Sequence, residues 1–127
     1  MLRVLVVEDE AIAARAVAVM LERIGCEVTA IVDTGEGAIE GASHHCPDLV
    51  LMDIRLKGSM DGIEAASVIR ERFGLRVVFV SAYLPDELEA QETSVTGYDF
   101  LSKPIDQGDL AMVVQRVARS LGQDHER

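Results

Sequence analysis

At 127 residues, 49% hydrophobic and 27% charged, the chain carries enough apolar material for one domain core and lies far from disordered compositions. Its formal net charge of −10 repels phosphate backbones, which argues against direct binding of DNA or RNA. Charges interrupt the apolar runs well short of a membrane span, and Met1-Leu2-Arg3-Val4 leads straight into strand-like sequence with no leader peptide expected. Cys26 and Cys46 show no metal or redox spacing and read as free thiols of a cytoplasmic protein.

In chain order, Arg3 to Val7 is a nearly unbroken β-branched and aliphatic run, the mark of a strand buried on both faces. From Glu10 to Ile24 the period turns helical, with Ala14, Val17, Leu21 and Ile24 on one stripe and Gly25 as the stop. A second strand spans Cys26 to Val32. Thr34 then caps a helix that ends before Pro47, and His44, His45 and Cys46 read as its ordinary end rather than as a metal site. Leu49 to Met52 is a third buried strand and delivers Asp53 at its carboxyl end. Gly62 to Phe73 is helical, with Ile63, Ala66, Ile69 and Phe73 on the core side, closed by Gly74. Val77 to Val80 is a fourth strand ending at Ser81, and Pro85 to Glu92 a weakly apolar, acidic helix. Tyr98 to Leu101 is a fifth strand followed by Lys103-Pro104. Asp106 or Asp109 opens the last helix, whose stripe is Leu110, Val113, Val114, Val117 and Leu121, and Gly122 to Arg127 is expected as a short polar tail.

Five strands alternating with five helices require an α/β fold, a parallel sheet with helices on both faces. Ligands bind such sheets beyond the carboxyl ends of the strands, near the point where strand order reverses. The residues stranded there are Glu8 and Asp9 after the first strand, Asp53 after the third, Ser81 after the fourth and Lys103 after the fifth. Three carboxylates at one sheet edge repel by roughly 3 kcal/mol per pair at ~5 Å and an effective dielectric near 20. A hard divalent cation, Mg²⁺ or Mn²⁺, offsets that repulsion, and a lysine and a hydroxyl opposite it would stabilise a phosphoryl group in transit. Asp53, from the central buried run, is the expected nucleophile, with Asp9 a direct metal ligand and Glu8 a ligand directly or through water.

The segments Val6-Val7-Glu8-Asp9-Glu10, Leu51-Met52-Asp53-Ile54-Arg55-Leu56, Val80-Ser81-Ala82 and Leu101-Ser102-Lys103-Pro104 resemble the four signature blocks of bacterial response-regulator receiver domains. Each block alone is weak; all four, in order and each after its predicted strand, cover residues 2 to about 121. The resemblance implies a doubly wound five-stranded sheet in the order 2-1-3-4-5. It implies that Asp53 is phosphorylated by a histidine kinase, a histidine phosphotransfer protein or a small phosphodonor. Glu8, Asp9, Asp53 and the backbone carbonyl of Arg55 would hold the metal. Ser81 would follow the phosphoryl group, Phe100 would be the aromatic switch, and Lys103 would pair with the phosphate beside a cis Lys103-Pro104 bond. The output would be a rearranged surface around the last two helices and the fifth strand, binding a downstream protein, with the domain a monomer or a phosphorylation-dependent homodimer.

Two departures stand out. The loop Ile54 to Met60 lacks the proline many receivers have there and looks one residue longer, as in a subgroup of the family. Arg55 and Tyr83, two residues after Asp53 and Ser81, match positions that in the family tune how quickly water removes the phosphoryl group, which implies that a cation and a bulky ring here would hinder it.

Plainer readings stand beside these. Glu8 and Asp9 could be solvated loop charges, Ser81 a turn cap, Lys103-Pro104 a surface turn and Phe100 a core aromatic. The acidic run Asp86, Glu87, Glu89 and Glu92 is either a solvated face or part of an output surface. On the first helix Ile12, Ala16 and Val19 fall away from the core stripe, as scattered aliphatics or as a strip that docks the phosphodonor. A phosphohydrolase with an aspartyl-phosphate intermediate would need an acid where Arg55 stands. A phosphorylation-independent interaction module would need no acidic pocket. The expectation is therefore a signalling switch rather than an enzyme: a receiver over residues 1–121, standing alone or excised from a larger regulator or hybrid kinase.

Overall fold

Short aliphatic runs pair into a sheet here because both of their faces are apolar, and the amphipathic segments between them cover those faces. In the computed structural model, which describes residues 1–82 and 99–125, the order is β1 (Arg3–Val7), α1 (Ala11–Arg23), β2 (Glu27–Val32), α2 (Gly35–His45), β3 (Leu49–Asp53), α3 (Gly62–Phe73), β4 (Arg76–Ser81), β5 (Asp99–Ser102) and α4 (Gln107–His125). All strands are parallel, in the order β2-β1-β3-β4-β5. The fold is thus the doubly wound, flavodoxin-like one expected. The helix predicted over Pro85 to Glu92 lies outside the described residues.

Strand alternation sorts the core into two layers. Val4, Val6, Leu49, Leu51, Val78, Val80 and Leu101 face α1 and α4, meeting Leu21, Leu110, Val113, Val114 and Val117. Leu5, Val7, Val50, Met52, Val77 and Phe79 face α2 and α3, meeting Ala38, Ala42, Ile63, Ala66 and Ile69. By the same alternation Asp53 continues the row of Leu49 and Leu51, at the edge of the sheet where the strands end.

Local chemistry fixes the helix starts. The Thr34 hydroxyl accepts from the Gly37 N–H at 2.9 Å. Asp61 and Glu64 form a capping box on α3. Asp106, not Asp109, caps α4, its carboxylate accepting from the Asp109 N–H at 3.1 Å.

The stripe expected on α1 holds, with Ala14 and Leu21 buried, Val17 and Ile24 packed against the same layer, and Ala18 buried beside them. Two expectations are corrected. Phe73 is 36% exposed rather than part of the core stripe, at the last turn before the left-handed Gly74 ends α3. The polar tail expected from Gly122 does not begin there: α4 continues to His125, since one glycine in an otherwise helix-favouring run weakens a helix without ending it. Among the described residues no helix is long and apolar enough to cross a membrane.

Candidate functional site

The carboxyl edge of the sheet is held by backbone bonds that continue the ladders past the strand ends. The Glu8 N–H donates to the Val32 carbonyl at 2.9 Å, the Ile54 N–H to Val80 at 3.2 Å and the Lys103 N–H to Ser81 at 2.8 Å. Each link therefore fixes one chemical residue or its immediate neighbour relative to the next strand, so side chains 50 and 95 positions apart in sequence meet in space.

Three carboxylates converge. One oxygen from each of Glu8, Asp9 and Asp53 lies within 4.8 Å of the others. Glu8 and Asp53 are each only 6% exposed, while Asp9 is partly open to solvent. The Lys103 ammonium reaches across, donating to Glu8 Oε1 at 2.7 Å and to Asp53 Oδ2 at 3.1 Å. The remaining oxygens of the same carboxyls are taken by backbone: Glu10 N–H donates to Glu8 Oε2 at 3.1 Å, and Arg55 N–H to Asp53 Oδ1 at 3.1 Å.

The electrostatics record crowding. Burial, then the neighbouring Glu8 carboxylate, pushes the Asp53 carboxyl up to about 6, against the opposing pull of Lys103. Glu8 goes the other way: burial raises it, but donors from Lys103 and the Glu10 backbone outweigh that and hold it below the usual range. The two titrate together, the Asp53 carboxyl moved up and that of Glu8 down. Burial alone would lower the Lys103 ammonium, yet the hydrogen bonds to Glu8 and Asp53 carry it above the ordinary lysine value.

This donor set suits a hard divalent cation. Its ligand atoms are all oxygens, they lie close enough to share one ion, and a single ammonium cannot neutralise three carboxylates. Glu8, Asp9 and Asp53 are the residues that would hold it.

Ser81 is buried at the end of β4, beside the Asp53 strand. The Arg55 side chain is exposed at the rim. The Lys103-Pro104 peptide is cis, as the resemblance implied. Phe100, 38% exposed, stacks on the fully buried Phe79 with ring centroids 5.6 Å apart. Ile12, Ala16 and Val19 are all exposed on α1, Ile12 at 89%. Tyr83 lies outside the described residues.

Two residues near the site carry no signal for it in the sequence. Phe79 stands there as strand core, and its pairing with Phe100 follows only once β4 and β5 are aligned. Gly62 stands there as the start of a helix. A Cβ there would meet the Asp53 carbonyl oxygen at 2.1 Å, so α3 can press against the end of β3 only with glycine at this position.

An acidic pocket faced by a lysine, at the carboxyl edge of a sheet ordered 2-1-3-4-5, marks a flavodoxin-like module with its site at the topological switch. The chain belongs to the response regulator receiver domain family, whose model matches residues 4–115. It is 34% identical over 113 residues to the transcriptional regulatory protein PdtaR of Mycobacterium tuberculosis, covering 89% of this chain and 55% of that protein. It is also 34% identical to a protein-glutamate methylesterase/protein-glutamine glutaminase of Archaeoglobus fulgidus, over 94% of this chain and 35% of that one. Among solved structures, the signal receiver domain of a modulated diguanylate cyclase from Desulfovibrio desulfuricans superposes with a TM-score of 0.88 at 28% identity, covering 98% of both chains. The N-terminal domain of a response regulator/sensory box/GGDEF three-domain protein from Carboxydothermus hydrogenoformans gives 0.85 at 34% identity, covering 96% of this chain and 98% of that one. The chain spans about half the length of the first curated relatives it matches. Receiver domains are signalling switches, and those relatives that are named as enzymes are longer proteins.

Proposed function

We propose that Asp53 accepts a phosphoryl group from a histidine kinase or histidine phosphotransfer protein, and that the phosphorylated domain changes its affinity for a downstream protein. The observation that carries this reading is the meeting of Asp53 with Glu8, Asp9 and Lys103 at one buried sheet edge. Bound Mg²⁺ or Mn²⁺ would supply charge neutralisation at the transferring oxygens. Asp53 supplies the nucleophilic oxygen: its bond to phosphorus forms as the donor's P–N bond, or the P–O bond of an acyl phosphate, breaks and the leaving group departs with the electron pair. Lys103 then faces the new negative charge and Ser81 donates to a phosphoryl oxygen. The carbonyl of Arg55 completes the oxygen set with Glu8, Asp9 and Asp53. Phe100 swings off Phe79 to follow Ser81 and carries the change to the surface.

The domain is read as residues 1–121, cytoplasmic, working as a monomer or a phosphorylation-dependent homodimer, alone or within a larger regulator. The exposed strip of Ile12, Ala16 and Val19 is assigned to docking the phosphodonor; charges at Ile12 and Val19 should cut transfer from a protein donor and spare labelling by acetyl phosphate, and equal loss with both would refute the assignment. Arg55 and Tyr83 are assigned to slowing hydrolysis, read as faster decay of the label in Arg55→Ala and Tyr83→Ala.

Incubation with acetyl phosphate and Mg²⁺, followed by intact-mass measurement, tests the central step. Wild type should gain the mass of one phosphoryl group, lost with a chelator and absent in Asp53→Asn. Unchanged labelling in Asp53→Asn would overturn the reading.

A further inference from the structure

The loop that follows Asp53, residues 54–60, is held in two different ways. Its first residues are tied by backbone: Ile54 donates to the Val80 carbonyl and accepts from the Gly62 N–H, and the Arg55 N–H donates to Asp53 Oδ1. Beyond Arg55, side chains take over. Leu56 and Met60 pack at the margin of the layer under α2 and α3, and the Ser59 hydroxyl donates to Glu36 Oε1 at 3.2 Å. Met60 lies across the first turn of α2. A Cβ at Gly35 would stand 2.9 Å from Met60 Cγ and 3.0 Å from the Met60 carbonyl oxygen. Gly35 is buried and its φ is not left-handed, so the close approach of the loop, and no special backbone conformation, is what requires glycine there. Gly58 turns the chain beside Glu36 with a positive φ of 101°. Residues 54–60 contain no proline that could fix this path from within.

We infer that Met60, seated in the notch that Gly35 leaves open and steadied by Ser59 on Glu36, is a positioning residue for the phosphorylation site. It sets the direction in which the chain leaves Arg55, and so the aim of the Arg55 carbonyl. The inference rests on the reading above in which that carbonyl joins Glu8, Asp9 and Asp53 around a divalent cation. Its own content is that the first turn of α2, which supplies no ligand, is part of the frame of the site. A neutral carbonyl on an unfastened loop would have to be ordered each time the ion arrives, and that ordering subtracts from affinity. A loop already fastened to a helix holds the carbonyl in place before the ion comes. The fastening is apolar and lies on the far side of the loop from the carboxylates, so it neither adds to their charge nor competes for the ion.

Four proteins test this: wild type, Met60→Ala, Met60→Leu and Gly35→Ala, each first checked for native circular dichroism. Backbone amide relaxation by NMR is measured without metal. Order parameters of residues 56–60 should be about 0.8 in wild type and Met60→Leu, which keeps the volume of the side chain, and fall below about 0.6 in Met60→Ala and Gly35→Ala. Calorimetric titration with Mg²⁺ should then show affinity weakened about fivefold in the two loosened variants and kept in Met60→Leu, as for a loop that holds its bound path about a fifth of the time. Loop order lost with Mg²⁺ affinity unchanged overturns the inference, because Met60 would then be packing alone. So does a loop equally ordered in all four proteins. Wild type that binds no Mg²⁺ at all defeats the metal-dependent reading and takes the inference with it, so the two failures are told apart.

Discussion

At the scale of single residues, Asp53 is held in a form its chemistry resists. It keeps its proton to about pH 6, whereas in the unfolded chain it releases it near 3.8. The native state therefore binds more protons across that window, and stability must fall as pH rises through it. That displacement corresponds to at most about 3 kcal/mol, fully expressed above pH 6 in the absence of divalent metal. Glu8 contributes with the opposite sign, its stabilising interactions being lost as pH falls through its lowered value. Urea unfolding with a chelator at pH 5 and pH 7.5 isolates the Asp53 part: Asp53→Asn should be more stable than wild type by roughly 1–3 kcal/mol at pH 7.5 and by about half as much at pH 5. Equal differences at both values would contradict this account of the crowding. The identity of these residues was legible in the sequence because each stands immediately after an apolar run. Which of them Lys103 would contact was not, because Glu8 and Asp53 are equally plausible partners until the strand ends are fixed in space.

At the scale of elements, the site depends on how closely α3 approaches β3. The Asp61–Glu64 capping box starts the helix, and the N–H of Gly62 donates to the Ile54 carbonyl at 3.0 Å, drawing the first turn against the end of the strand. These two neighbours should respond very differently to alanine. Asp61→Ala removes a cap and should cost about 1 kcal/mol. Gly62→Ala places a carbon 2.1 Å from the Asp53 carbonyl oxygen, where backbone must shift, and should cost upwards of about 2 kcal/mol while also weakening Asp53 phosphorylation. Denaturant midpoints and acetyl phosphate labelling of the two variants check both halves. A Gly62→Ala protein as stable and as readily labelled as wild type would show that the approach is not needed. Apart from the far end of α4 and the helix expected over Pro85 to Glu92, which lies outside the described residues, the elements are legible to within a residue or two from the alternation of apolar strands and helical stripes. The misjudged ends have separate causes: Phe73 keeps the helical apolar period but stays exposed, whereas Gly122 reads as a stop although the helix-favouring run continues to His125.

At the scale of the whole molecule, the fold gathers residues that the chain keeps far apart. Glu8, Asp53 and Lys103 come from three strands, and the order β2-β1-β3-β4-β5 sets the first two side by side at the switch point. The parallel, doubly wound class followed from alternation alone; the order of strands followed from the resemblance, since alternation does not say which way the chain winds after each helix. The central claim is that the carboxylates of β1 and β3 are packed closely enough that the folded domain gains by holding a divalent cation. Thermal unfolding in chelator and in excess Mg²⁺ at pH 7.5 measures this directly, because a ligand that binds only the native state raises the melting temperature. The account predicts a clear rise for wild type on adding Mg²⁺, and for Asp53→Asn a melting temperature already higher in chelator with little further rise. A wild-type melting temperature indifferent to Mg²⁺, with Asp53→Asn no more stable than wild type in chelator, would contradict it.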